Sequence, residues 1–262
     1  MPVNILFIGD IIGKPGRQAV SRELHRLVDQ YRLDLVIANG ENAAGGFGIT
    51  EETAKDMFRS GINLLTSGNH IWDKKEALDF IKRDGQLIRP ANYPPGTVGQ
   101  GSVVVKTPGG VKVGVLNLEG RVFMNNLDCP FRAADREVAR LREETPIIFV
   151  DFHAEATSEK TSLGWYLDGR VSAVVGTHTH VQTADERILP GGTAYLTDAG
   201  MTGAFDSVIG VRKDEPIEKF LTQVPVKFEV AKNNLRLNGV VVSVDESTGK
   251  AVGIERVNLE CR

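Results

Sequence analysis

The chain has little cysteine and no excess of either charge, and these shortages exclude several classes of protein. Its two cysteines, Cys129 and Cys261, lie far apart and form no metal-binding motif, so a reducing compartment is expected rather than a disulfide framework. The formal net charge of −3 gives no overall attraction for nucleic acid or an anionic membrane. Stable nucleic-acid binding is therefore not expected, and positive charge that binds an anionic substrate must be local.

Long hydrophobic runs, internal repeats and low-complexity tracts are also absent. No run approaches transmembrane length, and residues 1–12 lack a basic leader, which predicts a soluble cytoplasmic protein. Residues 9–13 lack the Gly-x-Gly-x-x-Gly pattern and include Asp10, which argues against nicotinamide binding. With 262 residues, the chain can bury a sizeable core, and one domain over residues 1–262 is expected.

The apolar pattern predicts alternating strands and helices first, and a more antiparallel section later. Thr50 is the expected N-cap of one helix, because Glu51 and Glu52 follow in the first turn, where the helix dipole favours them. Pro108-Gly109-Gly110 predicts a hairpin. This combination of alternating and antiparallel sections favours two packed mixed sheets with helices outside. Strands are predicted at 3–8, 33–38, 62–66, 102–106, 111–118, 147–150, 171–175, 194–197, 226–230, 235–244 and 252–257, and helices at 20–31, from 50, and near 74–82, 134–141 and 162–167.

Five apparent strands end in side chains that can bind metal ions, and four of the five histidines lie at these ends. Ligand crevices form at the carboxyl ends of strands in layered α/β proteins. Carboxylate, carboxamide and imidazole groups make a mixed oxygen and nitrogen shell suited to Mn, Fe or Zn, and the two oxygens of Glu41 allow it to bridge two ions. The candidates are Asp10, Glu41, Asn42, Asn69, His70, His153, His178 and His180.

Each candidate also has an ordinary structural explanation. Asp10 can cap a helix, Glu41 and Asn42 can form a solvated turn, Asn69 can cap the next helix and His153 can be a core histidine. The fifth histidine, His25, falls within a helix and is expected at the surface or in packing. The joint pattern at the strand ends favours a two-metal site over these separate explanations.

The motifs resemble those of the calcineurin-like metallophosphoesterases, in the form found in the YmdB-type branch, the 2′,3′-cyclic-nucleotide 2′-phosphodiesterases. The resemblance covers essentially the whole chain and implies a four-layer αββα sandwich of two mixed sheets. Its motifs are Gly9-Asp10, Asn39-Gly40-Glu41-Asn42, Gly68-Asn69-His70, His153 and Gly176-Thr177-His178-Thr179-His180-Val181.

The resemblance also implies roles for the candidates. One metal would be held by Asp10, Glu41, Asn42 and His180, and the other by Glu41, Asn69, His153 and His178. His70 would be the proton donor, with Asp73 as a conceivable orienting partner. The chain departs from the wider superfamily at Ile12, which stands where a histidine ligand is usual. Asn42 would then replace that ligand, and an oxygen-richer site favours Fe or Mn, with Mg or Zn as alternatives.

The implied activity is that of a metal-dependent phosphoric diester hydrolase. It would convert 2′,3′-cyclic nucleotides, such as 2′,3′-cAMP, to 3′-nucleotides through attack by a metal-bridging hydroxide, with His70 as general acid. Lys14, Arg121 and residues 197–210 are candidate substrate contacts. Two alternatives stay open: a phosphomonoesterase or a phosphodiesterase for another nucleotide, and a regulatory signalling protein on the same fold. A homo-oligomer is also left open, and no membrane partner is expected.

Overall fold

Two mixed β-sheets form the framework of the protein, which the computed structural model describes over residues 2–261. The first sheet has the strand order β2-β11-β12-β1-β3-β4, with β13 also paired to β12. Its strands are β1 (Pro2–Ile8), β2 (Asp10–Ile11), β3 (Leu35–Asn39), β4 (Leu64–Thr66), β11 (Met201–Ala204), β12 (Leu235–Asp245) and β13 (Ala251–Glu260).

The second sheet has the order β5-β6-β7-β8-β10-β9. Its strands are β5 (Ser102–Lys106), β6 (Lys112–Glu119), β7 (Ile148–His153), β8 (Ala173–Thr177), β9 (Arg187–Ile188) and β10 (Ala194–Leu196). The helices are α1 (Gly13–Tyr31), α2 (Glu51–Arg59), α3 (Ala77–Arg83), α4 (Pro130–Arg142), α5 (Thr157–Tyr166) and α6 (Asp214–Thr222). Within residues 2–261, none of these helices is both long and apolar enough to cross a bilayer.

Side-chain alternation along the strands produces the four layers. In β1, Ile5 and Phe7 pack into the apolar cluster between the two sheets, where the rings of Phe7 and Phe149 stack with centroids 5.2 Å apart. Leu6 and Ile8 point the other way, into the cluster that α1, α2 and α3 cover. A third cluster joins the outer face of the second sheet to α4 and α5. The predicted αββα sandwich is therefore confirmed.

Parallel pairing brings several strand ends to one edge of the sandwich. In the first sheet β1, β3 and β4 are parallel, and in the second β6, β7, β8 and β10 are parallel. The carboxyl ends of these strands meet at the same side of each sheet, and that side carries the polar residues that the sequence pattern singled out.

Most of the local predictions are confirmed. The Thr50 side chain accepts a hydrogen bond from the Thr53 amide, and a reciprocal bond from Thr50 to the Thr53 hydroxyl completes a capping box. The hairpin of β5 and β6 is antiparallel, as predicted.

In the exposed region before β12, one local prediction fails and one helix was missed. The strand at 226–230 is wrong, because among the described residues this segment makes only an isolated bridge between Val211 and Val230. Helix α6 was not predicted. Pro216 is its only fully buried residue, so no buried apolar stripe marks it in the sequence.

Candidate metal centre

The structure brings all eight candidate residues to the same edge of the sandwich. Asp10 lies on β2, which runs parallel to β11, and His153 is the last residue of β7. The others occupy the loops that follow β3, β4 and β8: Glu41, Asn42, Asn69, His70, His178 and His180. The convergence that the sequence analysis expected is therefore present, whereas metal binding by these residues stays a prediction.

Glu41, His153 and His178 form the centre of the cluster, and each offers one ligand atom within 4.8 Å of the other two. His153 Nε2 lies 3.0 Å from His178 Nδ1 and 3.2 Å from Glu41 Oε1. The carboxamide oxygen of Asn69 is 2.9 Å from the same His153 nitrogen. Four nitrogen and oxygen atoms thus crowd one buried point, which is the donor arrangement that a divalent ion requires.

A second group lies beside the first, around Asp10, Asn42 and His180. Asn42 Nδ2 is 3.0 Å from Glu41 Oε1 and 3.4 Å from His180 Nε2. Asp10 Oδ2 accepts a hydrogen bond of 3.1 Å from the His178 amide. Asp10 Oδ1 and Asn42 Oδ1 are buried without a hydrogen-bond partner. Buried acceptors without partners are costly, and a bound cation is a partner that such oxygens accept.

The outer nitrogen of each imidazole faces a hydrogen-bond acceptor. His153 Nδ1 lies 2.9 Å from the Thr177 hydroxyl, and His178 Nε2 lies 3.2 Å from Glu155 Oε2. His180 Nδ1 lies 2.8 Å from the carbonyl oxygen of Ile209. Metal-binding histidines characteristically donate their second N–H in this way, which fixes the tautomer and leaves the other nitrogen for the ion. The donor set therefore fits bound metal.

Three residues of this site have a left-handed backbone conformation. His178 and His180 have φ values of +103° and +65°, and Ile209 has φ of +45°. Non-glycine residues seldom adopt this region, and a β-branched residue such as Ile209 does so least readily. The left-handed turn at Ile209 directs its carbonyl toward His180. The surrounding contacts must therefore hold these turns against their strain.

A buried ion pair holds the turn that carries the two histidines. Lys160 Nζ on α5 lies 2.5 Å from Asp198 Oδ2, and both residues are almost completely buried. The same carboxyl oxygen accepts hydrogen bonds from the Thr179 amide at 3.2 Å and the Thr179 hydroxyl at 2.8 Å. Because Thr179 lies between His178 and His180, Asp198 and Lys160 are positioning residues for both imidazoles.

Asp151 stabilises His153 indirectly, through the Thr177 hydroxyl. The Thr177 hydroxyl that faces His153 Nδ1 donates to Asp151 Oδ1 at 2.7 Å, so the threonine oxygen is free to accept the imidazole proton. Asn39 Nδ2 also donates to Asp151, at 3.1 Å. Burial raises the pKa of Asp151 to about 7, an effect that the charge of His153 and the hydrogen bonds from Thr66 and Thr177 only partly offset.

The electrostatics of the central cluster favour a positive charge. Burial by itself would raise the pKa of Glu41, but the charge and hydrogen bond of His153 outweigh it and lower the pKa to about 2. Burial would likewise lower the pKa of His153, yet Glu41, Asp10 and Asp151 raise it to about 9. The pKa of His178 falls to about 3 through burial and the neighbouring charge of His153. One cationic group is therefore strongly favoured here, and a second proton is not.

His70 lies at the wall of a cavity of about 320 Å³ that opens over the cluster. Its Nδ1 lies 2.8 Å from Asp73 Oδ2, so the orienting contact considered for Asp73 is present. Its backbone amide donates to Glu41 Oε2 at 3.1 Å. The ring of Phe47 approaches it edge-on, with centroids 5.2 Å apart. Since Nδ1 is engaged by Asp73, Nε2 is the nitrogen left to exchange a proton with a substrate.

Gly68 is required by the packing of this centre. A Cβ atom at this position would lie 2.2 Å from His153 Cδ2 and 2.5 Å from Glu41 Oε2. Only glycine lets the chain after β4 pass this close to the two side chains.

Sequence reasoning missed the residues that hold the candidates in place. Asp198 follows β10 and fell only within the broad range 197–210, although the strand-end rule would have found it. Lys160 carried no signal, because a lysine within a helix is ordinarily exposed. Among the other suggested contacts, Ile209 lines the cavity, Lys14 lines separate cavities beside α1, and Arg121 is exposed in the loop after β6. Ile12 is buried and apolar, so it supplies no ligand.

The four-layer fold, with carboxylates and histidines gathered at the strand ends, is the arrangement expected of a metallophosphoesterase. The chain belongs to the YmdB-like protein family, whose model matches residues 6–257. The family resemblance seen in the motifs is therefore confirmed.

Relatives of known name or structure match nearly the full chain. The 2′,3′-cyclic-nucleotide 2′-phosphodiesterase of Bacillus subtilis (strain 168) is 53% identical, over 97% of this chain and 96% of its own length. A putative phosphatase/phosphodiesterase of Mycoplasma pneumoniae is 36% identical, over 98% of this chain and 93% of its own.

Two crystal structures support the same conclusion. A novel phosphatase from Mycoplasma pneumoniae superposes with a TM-score of 0.93 at 36% identity, covering 99% of this chain and 94% of its own. A hypothetical protein from Thermus thermophilus gives a TM-score of 0.91 at 44% identity, covering 99% of this chain and 100% of its own. The family's fold is therefore shared along the whole described chain.

Proposed function

We propose that this protein is a metal-dependent phosphodiesterase that hydrolyses 2′,3′-cyclic nucleotides to 3′-nucleotides. The observation that carries the proposal is the convergence of Glu41, His153 and His178 beside the unpartnered oxygens of Asp10 and Asn42. The name of the Bacillus subtilis relative, at 53% identity, supports the substrate class. The proposal extends to a two-metal site with the ligand sets that the family resemblance implies.

Two bound ions would polarise the phosphoryl oxygens and lower the pKa of a water to supply hydroxide. Carboxylate, carboxamide and imidazole ligands without cysteine favour Fe or Mn, with Mg or Zn as alternatives. Thr177, Glu155 and Ile209 keep the imidazoles in the tautomers that such ions need, through the contacts to their outer nitrogens.

His70 is the proposed general acid. Hydrolysis adds hydroxide to phosphorus and breaks the bond to ribose O2′, so the departing oxygen needs a proton and the product retains a 3′-phosphate. Asp73 engages His70 Nδ1 and orients the ring, which leaves Nε2 to carry that proton. General acid catalysis of this kind contributes roughly 100- to 10,000-fold.

A substrate panel tests the activity. The metal-loaded protein is assayed against 2′,3′-cyclic, 3′,5′-cyclic and monoester nucleotides, with the released products separated by chromatography. We expect the 2′,3′-cyclic substrates to have the highest kcat/KM and to yield only 3′-nucleotides. A 2′-nucleotide product, or the absence of hydrolysis with Fe, Mn, Mg and Zn alike, would rule the proposal out.

Glu41→Gln tests the two-metal assignment. The substitution removes the carboxylate proposed to bridge both ions while keeping its shape, so metal content measured by elemental analysis should fall in a folded protein. Asp73→Asn is the matched control, since Asp73 contacts His70 and belongs to neither ligand set. Equal metal content in both variants would contradict the bridging role.

Phosphomonoester hydrolysis is the second candidate, because the Mycoplasma pneumoniae relative carries a name that covers both activities. The same metal centre would serve it, and specificity would depend on the loops around the cavity. A higher kcat/KM for nucleoside monophosphates than for any cyclic nucleotide would select this alternative.

A further inference from the structure

Two cavities lie beside α1, outside the candidate metal centre. The first, of about 430 Å³, is lined by Lys14, Gln18, Gly45 and Lys232 among others. The second, of about 450 Å³, lies between α1 and α2 and includes Lys14, Gln18, His25 and Arg59. Lys14 and Gln18 line both, so the two cavities are neighbours along the helix.

The helix presents a regular polar face to these cavities. Lys14, Gln18, Ser21 and His25 follow one another at intervals of four, three and four residues, which places them on one side of α1. At 1.5 Å per residue this stripe is about 16 Å long. A polar stripe of this length suits an extended ligand with repeated polar groups. We call Lys14, Arg17, Gln18, His25, Arg59 and Lys232 the α1 track.

The α1 track carries local positive charge. Lys14, Arg17, Arg59 and Lys232 line the two cavities, and Asp56 is the one carboxylate among the lining residues. Arg17 and Arg59 both contact Asp56, and Arg17 also donates to the Ala43 carbonyl. Among the described residues, Lys14 and Lys232 make no ion pair. These two ammonium groups, beside Arg17 and Arg59, are available to an anionic ligand, although Lys232 also borders a cavity lined by Asp206, Asp214 and Glu229.

The α1 track begins next to the metal centre. Gly45 lines its first cavity, and Phe47, two residues further, lines the cavity over the metal centre. On the opposite wall, the Gly210 carbonyl accepts a hydrogen bond of 2.9 Å from the Ala231 amide, which ties Ile209 at the metal centre to Lys232 on the track. Short segments of the chain therefore join the lining of the metal centre to the lining of the α1 track.

The proposed substrate has a chemical origin that matches such a strand. A 2′,3′-cyclic phosphate forms when a ribose 2′-oxygen attacks the adjacent phosphodiester of RNA. A new O2′–P bond forms, the bond from phosphorus to the next nucleotide's O5′ breaks, and the proton of the 2′-hydroxyl ends on that O5′. The reaction that supplies this substrate is therefore RNA cleavage, and its direct product is an RNA strand with the cyclic phosphate at its 3′ end.

We propose that the α1 track binds the phosphate backbone of a short RNA strand whose 2′,3′-cyclic phosphate end lies at the metal centre. This inference rests on the proposed function, whose cyclic phosphate it places at the end of a longer substrate. Lysine contacts to phosphate are independent of base sequence and weaken as salt rises. A contact with only a few phosphates also agrees with the absence of an overall positive charge.

The test measures RNA binding and hydrolysis separately. Binding of a 5′-fluorescein-labelled hexaribonucleotide 3′-phosphate to the metal-loaded protein is followed by fluorescence anisotropy. In Lys14→Glu/Lys232→Glu we expect the Kd to rise about tenfold and the salt slope to fall by about 1.4, since each phosphate contact on a single strand contributes about 0.7. The ratio of kcat/KM for a hexamer with a cyclic end to kcat/KM for 2′,3′-cAMP should fall in parallel.

Matched variants distinguish a local effect at the α1 track from a general effect of the protein's charge on RNA binding. Lys106→Glu/Lys250→Glu makes the same change in charge at exposed positions away from α1 and should bind the hexamer like the unmodified protein. Lys14→Gln/Lys232→Gln removes the charge without reversing it and should give a smaller effect of the same sign.

Equal hexamer affinity in the track and control variants, or an unchanged salt slope, would overturn the α1 track. A protein that binds the hexamer through the track but hydrolyses no cyclic phosphate would refute the proposed function and the placement of the cyclic end, while RNA binding by the α1 track would stand.

Discussion

At the scale of single residues, the candidate metal centre depends on histidines in which both ring nitrogens make a contact. Each histidine presents one nitrogen to the cluster while the other meets Thr177, Glu155 or the Ile209 carbonyl. These contacts fix the direction in which each imidazole presents its other nitrogen to the cluster. The strained φ values of His178 and His180 show that this orientation is imposed on the local backbone.

His70→Ala should separate catalysis from metal binding. We expect kcat for a 2′,3′-cyclic nucleotide to fall by roughly 100- to 10,000-fold, because the ribose oxygen then leaves unprotonated. Metal content by elemental analysis should be nearly unchanged. A diester with an acidic leaving group, such as p-nitrophenol, serves as the control and should lose less, since that group departs without a proton. Equal losses on both substrates would argue against the acid role.

Gly68→Ala should disturb the centre through packing alone. The added methyl group would overlap His153 and Glu41, so one or both must move and metal affinity should fall. Gly85→Ala is the matched control, because a Cβ atom there meets nothing within 4 Å. Chelator competition measures the affinity of both variants, and circular dichroism checks their folding. If Gly68→Ala binds metal as tightly as Gly85→Ala, the cluster is not the metal site.

At the scale of secondary-structure elements, the turn after β8 depends on a contact between distant parts of the chain. Lys160 comes from α5 and Asp198 from the end of β10, and together they hold Thr179 between the two histidines. A buried ion pair contributes little net stability, but removing one partner leaves the other charge uncompensated. Its location beneath the turn indicates a positioning role.

Lys160→Met should weaken metal binding more than it perturbs the rest of the fold. Without the ammonium, Asp198 is a buried charge without an ion-pair partner and must shift or take up a proton, which disturbs its hydrogen bonds with Thr179. We therefore expect metal affinity to drop about 10- to 100-fold. Arg170→Met breaks the exposed pair with Asp135, which lies at 2.6 Å, and should leave affinity within about twofold. Isothermal titration calorimetry measures the metal affinity of both variants. Similar affinities in the two variants would remove Lys160 from the site.

At the scale of the whole molecule, three apolar clusters join four layers, and the metal centre lies where both sheets contribute strand ends. Asp10, Glu41 and Asn69 come from the first sheet, whereas His153 and His178 come from the second. Metal binding should therefore bridge the sheets and stabilise the packed sandwich as a unit.

We propose that residues 1–262 form a single domain, which predicts one cooperative calorimetric transition. Bound metal should raise the midpoint temperature of this unfolding transition. An ion present at about 100 times its Kd adds roughly 2.7 kcal/mol to the free energy of unfolding. Removing it with EDTA should lower the midpoint without splitting the transition, and Glu41→Gln should respond little to either treatment. Two separate transitions in the metal-free protein would contradict a single domain.

Much of this protein follows from local sequence pattern. Apolar runs such as residues 3–8 locate the buried strands, Thr50 caps its helix as expected, and polar residues directly after the strands identify the candidate ligands. These features are predictable because strand burial and helix capping depend on neighbours close in sequence.

The tertiary structure decided the rest. Lys160 and Asp198, and likewise Ile209 and His180, meet only because the sandwich brings remote segments together. The α1 track also arises from the approach of α1 to α2 and to the segment around Lys232. Such contacts leave no local periodicity, since their partners are set by how the layers pack. The sequence therefore determined which groups are available for chemistry, and the packing determined how those groups are held.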